Sequence, residues 1–133
     1  MKIFKPIFLS SFFLISCNQR DCNELFFDKL NRITYYNNSI YTGSCKSYFY
    51  TGELRSEEEY LDGKDHGYWK FYFKDGSIQT KGEFDLGKRV GKWEYFFEKD
   101  KIWKIVNYNS NGEKGGRSIE YNRSGEIIFD QNF

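Results

Sequence analysis

From Gly67 to Lys74 the side chains alternate. Trp69, Phe71 and Phe73 fall on one side of an extended chain, and Tyr68, Lys70, Tyr72 and Lys74 on the other. Twenty-four positions on, Trp93, Tyr95 and Phe97 repeat the first set, and Lys92, Glu94, Phe96 and Glu98 the second. A period of two in ring-rich runs bounded by glycine predicts β-strands with one aromatic face and one mixed face. The glycines disfavour helix, since each would cost a helical interior about 1 kcal/mol.

The glycines set a repeat. Units open at Gly43, Gly67, Gly91 and Gly116, and nine residues into each stands a turn position: Gly52, Gly76, Asp100 and Gly125. Leu54, Ile78, Ile102 and Ile127 follow two residues later, then Tyr60, Phe84 and Tyr108 in the first three units, then Gly63, Gly87 and Gly112. Ten of the twelve glycines fall on this frame. Tyr36, Ser39 and Gly43 echo its spacing upstream, as half a unit preceding the first complete one.

Each unit reads as a β-hairpin. Its hinge is the segment Lys74–Ser77 and its copies, where Asp75-Gly76 suits a type I′ turn. The second turn, Gly63 to Gly67 and its copies, joins hairpin to hairpin. The expected fold is all-β: an elongated antiparallel meander of ~24-residue hairpins in a single twisted sheet. Trp69 and Trp93 should then stand about 10 Å apart, twice the strand spacing, with Ile78 and Thr80, or Ile102 and Lys104, filling the gap between such rows.

Composition agrees with a ring-based core. Of 133 residues, 39% are hydrophobic and 21% aromatic, so the apolar surface is mostly in rings. The net charge of +1 gives no sign of nucleic-acid binding.

The first sixteen residues stand apart. Lys2 and Lys5 precede an apolar run from Ile7 to Ile15, the layout of a secretory signal peptide and too short to span a bilayer. The run ends in Leu14-Ile15-Ser16-Cys17, which resembles the lipobox of bacterial lipoproteins. That resemblance implies lipidation at Cys17, a membrane partner through the lipid, and a place in the bacterial cell envelope. Asn18, not an acidic residue, inclines the expectation to the outer membrane. Residues 17–33 then form a tether and capping segment, and 34–133 the repeat domain. Without Lys2 and Lys5, two of the 20 basic residues, the mature chain carries about −1.

Tyr41-Thr42-Gly43, followed by GELRSEEEYLDGKDHGYWKFYFKDG and GEFDLGKRVGKWEYFF, resembles the bacterial MORN-repeat-variant family, often described as YwqK-like antitoxins. The likeness runs from residue 34 to about 129. It implies a non-catalytic repeat sheet that binds or scaffolds a protein partner; the family label adds an antitoxin or immunity role, and the rings themselves a weaker glycan-binding one. The ring face of Trp69, Phe71, Phe73, Trp93, Tyr95 and Phe97 is the expected binding surface, the alternative being that these rings only cover one another. Cys45 and Ser118 stand where Trp69 and Trp93 stand in the inner units, and Asp100 replaces a turn glycine.

Cys45 in place of an indole leaves a hole on that face. If Cys17 carries lipid, Cys22 and Cys45 are the two cysteines left in an oxidising setting. A Cys22–Cys45 disulfide is therefore the expectation, with Leu25, Phe26, Phe27 and Leu30 packed over the first repeat; two unpaired thiols are the alternative. No catalytic, metal-binding or cofactor site emerges. His66 lies in a turn with Asp62 and Asp65, read as solvated. Alternation sends Glu58 to the face opposite Glu57 and Glu59, so that run is read as a solvated edge rather than a carboxylate pair.

Overall fold

The computed structural model describes residues 19–133; Cys17 and the apolar run before it lie outside them. The described residues begin with β1 (Arg20–Asp21), a 3-10 turn over Cys22–Glu24, β2 (Phe26–Asp28), β3 (Ile33–Tyr36) and β4 (Ser39–Ile40). The repeats follow: β5 (Gly43–Tyr48), β6 (Leu54–Leu61), β7 (Lys64–Asp65), β8 (Gly67–Tyr72), β9 (Ile78–Asp85), β10 (Lys88–Phe97), β11 (Lys101–Tyr108), β12 (Arg117–Tyr121) and β13 (Ile127–Asn132). One antiparallel meander runs β5-β6-β8-β9-β10-β11-β12-β13, with β1 parallel to β5 at one edge and β7 beside β6. Strands β2, β3 and β4 form a separate three-stranded sheet. The fold is all-β and open, as the alternation and the glycine frame predict.

The hinge at residues 74–77 does not take its expected type I′ form. At the hairpin hinges, Gly76 N–H donates to the Phe73 carbonyl at 3.0 Å and Phe73 N–H to the Ser77 carbonyl at 2.9 Å. Gly76 has φ +85°, whereas Asp75 is not among the positive-φ residues. One left-handed glycine therefore closes a longer loop, where a type I′ turn needs two such residues. The type I′ signature of two successive left-handed residues, which among the hinges only Lys99 and Asp100 show (φ 61° and 57°), belongs to the inter-hairpin turns, where Asp62 and Gly63 have φ of 50° and 74° and link the paired residues Leu61 and Lys64. Leu86 and Gly87 do the same between Asp85 and Lys88. Asp-Gly occurs at both sites, and the length of the loop decides which conformation it takes.

These turns lock one repeat to the next. Gly63 N–H donates to the Tyr41 carbonyl at 2.7 Å, and Gly87 N–H to the Asp65 carbonyl at 2.8 Å, the same bond one repeat later. At the opposite end, Ile78 N–H donates to the Asp100 carboxylate at 3.0 Å and Lys99 N–H to the Ser77 hydroxyl at 3.2 Å. Asp100 thus takes a glycine's place at φ 57° and ties its turn to the preceding hairpin. The inter-hairpin series stops at Gly112, whose N–H turns back to the Asn109 carbonyl at 3.0 Å in a loop of the hinge kind. That different loop accommodates one extra residue, since Gly116 follows Gly91 by 25 positions where the earlier opening glycines are 24 apart.

Trp69 and Trp93 anchor the core. The gap between them is filled by Phe84, whose centroid lies 5.0 Å from Trp69 and 4.9 Å from Trp93, rather than mainly by Ile78 and Thr80. The indole N–H of Trp69 donates to the Glu59 carbonyl at 2.9 Å, and that of Trp93 to the Glu83 carbonyl at 3.1 Å. Each indole thereby satisfies its buried polar end on a neighbouring strand of the sheet.

The N-terminal segment carries the disulfide but not the expected packing. Cys22 and Cys45 are joined by a disulfide with Cα atoms 5.1 Å apart, beside the β1–β5 pairing. Phe26, Phe27 and Leu30, however, do not pack over the first repeat but are exposed. Pairing of Phe26 with Tyr35 and Phe27 with Thr34 draws them into the small sheet instead. Tyr41 occupies that end of the core, with Tyr36 tilted against it and the Arg20 guanidinium 3.7 Å over the Tyr36 ring.

Candidate functional site

The ring face is one continuous path. Centroid separations run Tyr36–Tyr41 6.4 Å, Tyr41–Tyr60 5.7 Å, Tyr60–Trp69 5.3 Å, then through Phe84 to Trp93. From Trp93 the path continues to Tyr95 at 6.4 Å, Trp103 at 6.2 Å and Phe97 at 6.1 Å. Its middle is closed: Trp69 is 8% exposed, and Trp93, under the Arg89 guanidinium at 4.7 Å, only 1%. Indoles so covered act as core, and they cannot offer a partner their faces. Phe71, Phe73, Tyr95 and Phe97 are only half-buried, and Trp103 is 40% exposed. The accessible ring surface therefore lies toward the hinge end of the sheet.

Trp103 was not among the residues expected there. Tyr95 pairs with Lys104 and Phe96 with Ile102, so Trp103 is the extra residue of a bulge. The bulge turns its ring to Tyr95 and Phe97, against simple alternation. Two cations border the same region. Arg123 lies 4.7 Å over the Phe97 ring, and Lys74 lies 4.9 Å over Tyr50 and 5.7 Å over Phe49. Phe49, Arg55, Phe71, Phe73 and Lys74 line a shallow depression of about 300 Å³. Rings edged by guanidinium and ammonium groups suit a partner segment that carries apolar and acidic side chains.

The mixed face is internally paired. Glu57 meets Lys46 at 3.1 Å and Lys70 at 3.9 Å, and Glu94 meets Lys92 at 3.1 Å and Lys81 at 3.3 Å. Tyr72 donates its hydroxyl to Glu57 at 2.7 Å. That bond, with Lys46 and Lys70, holds the Glu57 carboxyl below its ordinary value. Burial and the same bond push the Tyr72 phenol up to about 12. Burial also pushes Glu94 up, but the hydrogen bonds from Lys92 and Lys81 outweigh it and leave the carboxyl lowered.

Glu58 does point to the opposite face from Glu57, yet neither is a solvated edge residue, because β6 is an interior strand. Its carboxylate accepts from Ser56 and Tyr60, both at 2.7 Å. Burial and that bond raise the Tyr60 phenol well above its usual range. Glu58 also lies beside Cys22 and Cys45, whose sulfurs are committed to the disulfide. His66 is half-buried and accepts at Nδ1 from Leu86 N–H at 3.4 Å, bracing the next turn.

Residues 41–62, 65–85 and 89–110 match the family model of the MORN repeat variant. The chain belongs to the MORN-repeat-variant family. The three MORN units correspond to the strand pairs β5–β6, β8–β9 and β10–β11. The small sheet and the β12–β13 hairpin flank them. No curated protein is significantly similar to the chain. Among solved structures, a chain of a GtfA/B complex bound to UDP and GlcNAc aligns at 13% identity and a TM-score of 0.34, over 62% of this chain and 20% of that one. The MORN units make a repeat-based interaction module.

Proposed function

We propose that this protein is a non-catalytic, lipid-anchored protein of the bacterial cell envelope whose MORN sheet holds a protein partner. The partner's site is the hinge end of the ring face, around Phe71, Phe73, Tyr95, Phe97 and Trp103. One observation carries the reading: rings continuous with a closed indole core stay open there, bordered by Lys74 and Arg123. Aromatic and arginine side chains on a rigid sheet have the composition of binding hot spots. Lipid on Cys17 supplies the anchor, with the outer membrane the preferred location.

Crosslinking in intact cells, followed by mass spectrometry, tests the proposal. It should recover one dominant protein joined through residues near Phe97 and Trp103, and a Cys17→Ser chain should leave the membrane fraction. Recovery of a toxin would specify the partner as the one an antitoxin neutralises. Glycan crosslinks alone, or no crosslinks at this surface, would overturn the proposal.

A further inference from the structure

The opposite end of the sheet, where the inter-hairpin turns lie, exposes apolar side chains that the ring face does not use. Leu30, in the turn between β2 and β3, is 90% exposed, and Phe27 beside it is 50% exposed. Leu86 is 46% exposed at φ 44°, the sole apolar residue among the described non-glycine positions with positive φ. The preceding repeat has Asp62 at that place. Holding a leucine left-handed and solvated is unfavourable twice over, which points to a use for its side chain.

Phe27 and Leu86 line one shallow depression of about 360 Å³, together with Arg32, Lys64, Asp65 and Lys88. Apolar tips among long basic side chains have the chemistry of an interfacial surface: hydrocarbon enters the acyl boundary while ammonium and guanidinium groups reach phosphate. The chain supplies the reason for choosing a bilayer as the occupant. Cys17 precedes Cys22 by five residues, at most about 18 Å of extended chain, and Cys22 is bonded to Cys45 on β5. β1 runs parallel to β5 with Arg20 opposite Cys45, so the chain enters it from the Gly43 side, the inter-hairpin end, and a lipid on Cys17 keeps this end of the protein next to the membrane.

We infer that the surface of Phe27, Leu30 and Leu86 docks on the lipid bilayer that holds the anchor. The inference rests on the lipid-anchor reading above. Docking leaves the hinge-end rings turned away from the bilayer, toward a partner.

The test uses the full chain as purified from cells, placed in vesicles of phosphatidylcholine brominated along its acyl chains. Leu30→Trp should lose most of the emission it adds over the native chain, whereas Lys99→Trp, in a hinge turn, should lose none. Protein that floats with the vesicles while Leu30→Trp stays unquenched overturns docking and leaves the anchor standing. Protein that neither floats nor carries lipid mass on Cys17 overturns the anchor, and docking with it; the mass spectrum separates the two failures. Leu30→Trp emission that shifts with protein concentration in detergent, and is unquenched in vesicles, assigns the surface to a second copy and also overturns docking.

Discussion

Trp93 lies against the backbone of Gly82, so close that a Cβ on residue 82 would stand 2.2 Å from the indole Cδ2. Gly82 lies off the glycine frame and is not among the positive-φ glycines. Its reason is space for the neighbouring ring. Gly82→Ala should therefore cost about 1–3 kcal/mol as an overpacked core, read from denaturant midpoints. Gly76→Ala meets no heavy atom within 4 Å, and its cost should come only from left-handed backbone, about 1–2 kcal/mol. A second change, Trp93→Phe, should recover part of the loss in Gly82→Ala and none in Gly76→Ala.

The disulfide ties β1 to the sheet edge across a separation of 23 residues. Loop-closure entropy for such a span gives about 3 kcal/mol. Thermal unfolding with and without a thiol reductant should show a lower midpoint for the reduced chain. Cys22→Ser should match the reduced protein and no longer respond to reductant. An unchanged midpoint would mean that the first repeat holds its edge without the clamp.

The Tyr72–Glu57 pair predicts losses at both ends of the pH scale. Glu57 is depressed in the folded chain, so its contribution is complete above the ordinary glutamate value of 4.5 and is lost as pH falls through the lower folded value. Tyr72 is raised, so its contribution is complete below 10.0 and is lost as pH climbs toward about 12. Tyr72→Phe should flatten the alkaline limb of stability against pH and soften the acid one, while Glu57→Gln should flatten the acid limb most.

Leu86 offers a trade of stability against surface chemistry. Asn adopts the left-handed region more readily, so Leu86→Asn should raise stability by roughly 1 kcal/mol in urea unfolding. A fall would show that the leucine side chain has packing value where it stands.

Sequence reasoning read the strands well because alternation and turn glycines are local signals. Phe71, Phe73, Tyr95 and Phe97 share a face, and the repeats keep their register. What it missed depends on neighbours across strands. The Asp-Gly dipeptide at residues 75–76 could not reveal that its loop is longer than the one at residues 62–63. Trp103 required knowledge of a bulge, since one extra residue reverses the count of faces. Phe84 carried a visible signal in its period with Tyr60 and Tyr108, yet its place between two indoles depends on pairing. Phe26 and Phe27 looked like cover for the Cys45 site; only their strand partners show that they belong to another sheet.

The central claim is that the indole core is closed while the hinge-end rings bind. It is tested most directly by recovery of the crosslinked partner with a Phe97→Ala/Trp103→Ala chain, at matched levels of folded protein. Loss of two hot-spot rings should reduce recovery by about 30-fold or more while thermal unfolding stays cooperative. A folded double variant that recovers the partner as well as the native chain would contradict the account.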